Sequence, residues 1–147
     1  MAKIRAMIGT GGGQPTETVL WTNPNTSAEF GANDVTLSDS ITNYDLIKIV
    51  YKFTTTSSDT TENTSASITP TDLVFCSTES TGNKPKFSIA ARSGGGTIGV
   101  RIVSYVSDTS IRIDRGRRIG STSYADGNAI PIKIIGIKGG GITVNSH

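Results

Sequence analysis

Hydrophobic and polar positions alternate along most of this chain with period two. In "TVLWTNPN", Val19 and Trp21 share one face before Asn23-Pro24-Asn25 turns the chain. In "NDVTLSDSITNYDLIKIVYKF", Val35 and Leu37 alternate. Ile47, Ile49, Tyr51 and Phe53 then line one face, with Lys48 and Lys52 on the other. "KFSIAAR" (86–92) repeats the pattern through Phe87, Ile89 and Ala91. "TIGVRIVSYV" (97–106) sets Ile98, Val100, Ile102 and Val106 on one side, and Arg101, Val103 and Tyr105 on the other. "SDTS" (107–110) is a tight turn into "IRIDRGRRI", and "AIPIKIIGI" (129–137) closes the set, its Pro131 favouring a strand end or a sheet edge. "DLVFC" (72–76) reads as a buried strand holding Cys76 as an inert thiol. "TTTSSDTTENTSAS" (54–67) has no period and reads as a long exposed loop. No segment carries helical periodicity. The pattern predicts an all-β fold, an antiparallel β-sandwich of jelly-roll type with about eight or nine short strands.

The ends are different in kind. "KIRAMI" alternates Ile4, Ala6 and Ile8 with polar or flexible residues, and a glycine run follows at once. The expected organisation is an N-terminal strand arm with a glycine hinge (1–13), a sandwich domain (14–138) and a C-terminal tail (139–147). The arm has two candidate seats, the sheet edge of another chain or a place beside "IPIKIIGI" in its own. As a docking arm, its Ile4, Ala6 and Ile8 would enter apolar pockets on a neighbour.

Composition narrows the function classes. The chain has 147 residues, 35% of them hydrophobic, with 17 glycines, one cysteine and one histidine. A single cysteine excludes an intrachain disulfide. No apolar run approaches the length of a membrane span, and no signal-peptide core precedes the glycines. The net charge of +2 is unevenly distributed. Residues 84–118 carry eight basic and two acidic side chains, whereas residues 1–83 carry four basic and nine acidic. The basic region suits an anionic partner or the acidic half of a neighbouring copy.

Catalytic constellations are missing from the pattern. With one Cys and a terminal His147 there is no Cys/His metal set and no serviceable triad. "GTGGG" and "SGGGTIG" lack the lysine and following helix of a phosphate loop. "DGN" (126–128) lacks the spaced acids of an EF-hand. The expectation is a protein without enzymatic activity, cofactor or metal. The arginine-rich turn "DRGRR" and the nearby "YADGN" supply the candidate partner surface: Arg115, Arg117, Arg118, Tyr124 and Asp126. Guanidinium forks suit carboxylates and phosphates. Trp21 and Tyr124 are candidates for stacking on sugars. Too few aromatics interleave the basic residues for a nucleic-acid platform.

"VLWTNPN", "TLSDSITNYDLIKIVYK", "YVSDTSIRI" and "IPIKIIGIKGG" together resemble small virion proteins of tailed bacteriophages that infect Firmicutes. The resemblance covers residues 1–139 and consists of structural motifs, with no active site to carry over. It implies a β-rich surface module of the particle, made in the host cytoplasm. The module would be a tail-fibre or receptor-binding piece, or a capsid decoration protein. A glycan-binding β-sandwich is the alternative outside the structural class. Homo-oligomerisation, with a trimer as first expectation, contact with other virion proteins and a host-surface glycan ligand belong to the same implication. The "DRGRR" turn and the "GGGITVNSH" extension depart from the pattern. Loops 54–67 and 114–127 are the expected outward surface.

Overall fold

The computed structural model describes residues 14–78 and 86–139. Within them lie nine strands and one α-helix. In chain order these are β1 (Thr16–Thr22), β2 (Asn33–Thr36), a 3-10 turn (Ile41–Asn43), β3 (Leu46–Thr54), β4 (Asn63–Thr64), α1 (Pro70–Thr78), β5 (Ser88–Arg92), β6 (Ile98–Ser107), β7 (Ser110–Ile113), β8 (Arg117–Arg118) and β9 (Asn128–Lys138). They form two antiparallel sheets. Sheet one has the order β1-β9-β3-β4; sheet two has the order β2-β7-β6-β5, with β8 pairing to the start of β6. The expected all-β sandwich is therefore what the chain forms.

Period two explains the packing. Leu20, Ile47, Ile49, Tyr51 and Ile134 of sheet one meet Val35, Ile89, Ala91, Val103, Ile111 and Ile113 of sheet two in one continuous core. The Tyr51 hydroxyl crosses between the layers and donates to the Ala90 carbonyl at 2.8 Å. β9 is a central strand, with β1 on one side and β3 on the other. Pro131 is tolerated there for a local reason. It lies opposite Tyr51, where the β3–β9 register slips, and beyond Thr22, where β1 has ended. Asn23 continues past the end of β1 by side chain, donating from Nδ2 to the Pro131 carbonyl at 2.8 Å.

Two readings of the sequence are corrected. "DLVFC" is not a strand; it lies in α1, and Cys76 is only partly buried. The helix is started by its polar flank: Thr69 Oγ1 accepts from the Asp72 amide at 3.0 Å, Pro70 fits the first turn, and Leu73 supplies the buried anchor. Nor is 54–67 wholly an exposed loop. Its second half runs along β3: Asn63 and Thr64 pair with Tyr51 and Val50, and the buried Ser65 hydroxyl accepts from the Ile49 amide at 2.8 Å. Backbone pairing with a sheet edge holds this polar segment, so apolar content was the wrong guide to its order.

The register also sorts the loops. Thr16 pairs with Lys138, so β1 begins where β9 ends, beside the start of β3 at Leu46. At the opposite end Thr54 pairs with Asn128 and Asn33 pairs with Ile113. Segments 23–32, 55–62 and 114–127 therefore gather at one end, and the chain enters β1 and leaves β9 at the other. The candidate arm residues Ile4, Ala6 and Ile8 and the tail 140–147 lie outside the described residues. The intrachain seat beside "IPIKIIGI" is filled, since β1 and β3 occupy both sides of β9.

Gly136 is where β9 admits an aromatic ring. A Cβ there would stand 2.6 Å from the Tyr44 ring, and Tyr44 is held by donating to Asp39 Oδ2 at 2.9 Å. Gly136→Ala is expected to lower stability by about 1–3 kcal/mol through overpacking. Gly31→Ala meets open space and is expected to change stability by no more than about 0.5 kcal/mol. Urea unfolding of the two variants against the parent checks the difference.

Candidate functional site

The site begins with a charge inside the sandwich. On β6 the buried face carries Gly99, Arg101 and Val103, so Arg101 is 1% exposed although it is fully ionisable. Main-chain carbonyls, not carboxylates, solvate it. Nε donates to Ala129 O at 2.7 Å and to Asn128 O at 3.1 Å. Nη1 donates to Phe30 O at 2.6 Å and to Asp114 O at 3.0 Å, and Nη2 donates to Asp126 O at 2.7 Å. Cζ also lies 5.4 Å from the Phe30 ring centre. Burial lowers its pKa to about 10, opposed by the nearby negative charges of Asp126 and Asp114, so it stays protonated at neutral pH. Ala129, the second residue of β9, takes a positive φ of 52°, and its carbonyl is one of the five acceptors.

Three loops are thereby fastened to one strand, and the candidate residues sit on them. Asp126 Oδ2 accepts from Arg115 Nε at 3.1 Å and Nη2 at 2.7 Å, and Oδ1 accepts from Arg115 Nε at 3.3 Å and from the Gly116 amide at 3.1 Å. Hydrogen bonding to Arg115, ahead of the Gly116 amide and charge attraction, holds the Asp126 carboxyl below its ordinary pKa against the desolvation that raises it. The same bond raises the pKa of Arg115. Gly116 lies so close to the 121–128 segment that a Cβ would collide with the Ala125 carbonyl oxygen, which is why the arginine turn has a glycine at its centre. The Ala125 amide donates to the Gly116 carbonyl at 2.7 Å, and Arg117 bridges to Tyr124.

All five candidate residues are thus brought together, in unequal roles. Asp126 is a clamp whose carboxylate is already engaged. The Tyr124 ring lies 3.7 Å from the Arg115 Cζ and 4.3 Å from the Arg117 Cζ, measured to its centre. Two guanidinium groups thus stack on the ring, while the residue remains 51% exposed. Trp21 is half-buried, edge-on to Phe30 at 5.9 Å, and packs against the core. Trp21 thus serves the core, and Tyr124 shares its ring with two arginines. Arg118 Nε donates to Asn128 Oδ1 at 3.0 Å and Arg117 Nη1 to the Thr122 carbonyl at 3.0 Å. Among the described residues neither has a carboxylate partner.

Beside the clamp lies a polar cleft of about 450 Å³, bordered by Glu29, Arg118, Ser121, Ser123 and Tyr124. Arg115 and Asp126, already paired with each other, also border it, and its hydroxyls, the Glu29 carboxylate and the Arg118 guanidinium can hydrogen-bond a polar ligand. Among the described residues no group of three metal-ligating side chains assembles. No helix is long and apolar enough to cross a membrane. The sequence reading missed Arg101, Asn128 and Glu29. The first had a visible signal, an arginine in the middle of an alternating apolar strand.

No family model matches the chain, and no curated protein matches it.

Arg101→Met takes the guanidinium donors from five carbonyls, of which Asp126 O keeps the Phe30 amide, and is expected to cost about 3–5 kcal/mol, measured by urea unfolding. Arg101→Lys, which lacks the fork, is expected to recover less than half of that loss. The Asp126 contribution has a defined pH sign. Its folded pKa is depressed, so its stabilisation is complete above about pH 4 and fades as pH falls through the lowered folded value. Asp126→Asn is expected to cost about 1 kcal/mol at neutral pH, the Arg115 side being screened by water, and to flatten the acid limb of the stability–pH curve.

Proposed function

We propose that this chain is a non-enzymatic structural protein of a bacteriophage particle, a homo-oligomeric surface module of the tail-fibre or receptor-binding type. One observation carries the reading: the chain enters β1 and leaves β9 at one end of the sandwich, while segments 23–32, 55–62 and 114–127 collect at the other. A body anchored near its entry and exit strands presents the loop end to the surroundings. The loop end suits display, because Arg101 and Asp126 fix its backbone while Arg117, Arg118, Ser121 and Ser123 stay exposed. The resemblance of "VLWTNPN" and "IPIKIIGIKGG" to small phage virion proteins supports the same reading. A host-surface glycan would be held by hydrogen bonds in the polar cleft, which Tyr124 borders. The docking arm, with Ile4, Ala6 and Ile8, would join the module to its neighbours in the particle.

Labelled protein is expected to bind host cells or purified wall polysaccharide, and antibody to it is expected to mark the tail of intact particles. Replacing residues 55–62 or 119–123 with Gly/Ser of equal length should reduce cell binding and leave particle attachment intact. Deleting residues 1–12 should do the reverse. Label on the head, together with binding to empty capsids and none to cells, would replace the tail reading with capsid decoration.

A further inference from the structure

The outer face of sheet two does not look like a solvent face. Cross-strand pairing places Ala90 beside Val100, Ile98 beside Arg92 and Ile102 beside Ser88 on that side. Ile102 is 41% exposed and, further along β6, Val106 is 46% exposed. The opposite face of the same strand is the buried one that holds Arg101 and Val103. A sandwich strand with one wet face alternates apolar with polar, whereas a strand that is apolar on its outward side too has the pattern of one covered on both faces. Val100 and Ile102 line a hollow of about 210 Å³ with Lys86, Arg115 and Arg117, three cations against the single acid Asp114. Arg92, paired across from Ile98, and Arg112, paired across from Ser104, extend the cationic rim. On this rim Arg112 pairs with Asp34 and Arg115 pairs with Asp126.

We propose that this face is an interface between copies of the chain, and that its occupant is the acidic part of a second copy, bound head to tail. The inference deepens the oligomeric part of the reading above and rests on it. Charge selects the occupant. Most of the face belongs to residues 84–118, which carry eight basic and two acidic side chains, Arg101 among them buried, while β2 adds Asp34 at the sheet edge; the complementary excess lies in residues 1–83, with nine acidic and four basic. Two copies meeting by this same face would set cations against cations. The contact is therefore between unlike surfaces, which closes into a ring, as a trimer does, when the rotation permits. The N-terminal arm is a poor occupant, because Lys3 and Arg5 give it the same sign as the rim. Apolar contact at Val100 and Ile102 supplies affinity, and the rim sets the register and the choice of partner.

Sedimentation of the full chain at low and high salt tests the interface. The parent is expected to sediment as a closed oligomer that loosens as salt rises. Ile102→Asp, at an exposed position where folding is expected to persist by circular dichroism, should give the monomer. Arg117→Glu should weaken assembly about tenfold or more. Lys138→Asp, at an exposed position outside both charged regions, should leave the mass unchanged. A monomeric parent overturns the proposal, as does an oligomer indifferent to both Ile102→Asp and Arg117→Glu. A parent that is monomeric yet marks phage tails sinks only this interface. An oligomer broken by Ile102→Asp but absent from particles sinks only the virion reading.

Discussion

Arg101 is the interaction on which the loop end depends. A guanidinium in an apolar layer costs several kcal/mol of lost hydration unless its donors are met. Here three nitrogens meet five carbonyls drawn from three separate segments. Neutral dipoles do the work that a buried carboxylate would otherwise do, and the carbonyls gain a donor that the sheets do not offer them. The consequence is geometric. Residues 30, 114, 126, 128 and 129 cannot drift independently while they share one cation. Asp126 then extends the order outward: its carbonyl accepts from Arg101 and from the Phe30 amide, and its carboxylate accepts from Arg115 and Gly116. A buried charge thus holds an exposed charge in place through one aspartate.

Most strands were legible, and for a physical reason. In β3, β5 and β7, alternation of large apolar with polar residues matches the pleat and leaves one plausible inner face. α1 was not legible by periodicity, because nine residues hold too few turns to show it. Its signal was at the start, in the Thr-Pro-Thr-Asp that caps and opens a helix, and "DLVFC" read without that flank resembles a strand. The segment 63–68 was missed because it is held by main-chain bonds to β3, which leave no mark on composition. Ile47 and Ile68 exchange both of their amide–carbonyl bonds, at 2.8 and 2.9 Å.

The candidate site was half legible. Arg115, Arg117, Arg118, Tyr124 and Asp126 cluster in sequence, and they cluster in space because Gly116 lets two short segments touch. Their division of labour was hidden. Whether a carboxylate faces solvent or ties down a neighbouring arginine depends on backbone approach, and a single sequence does not carry that. Tyr124 shows the cost of reading a side chain alone: an aromatic near arginines suggests a stacking surface for a ligand, yet two of those arginines themselves stack on its ring.

β6 joins these observations. Its inner face holds the one charge that organises the loop end, and its outer face carries the exposed apolar residues Ile102 and Val106. An isolated sandwich gains nothing from leaving such residues in water, since about 25 cal/mol is lost for each Å² of apolar area left uncovered. The inversion is coherent if the strand is a shared element, packed against its own core through Val103 and against another surface through Ile102. The pairing of Val100 with Arg117 and of Ser104 with Arg112 then places cations at the margin of the apolar strip, where they stay partly hydrated and still select an acidic partner. On this view the loop end and the open face are two outputs of one strand. Arg101 keeps the loop end in shape, and by fixing Asp114 and Asp126 it also positions the arginines that border the face.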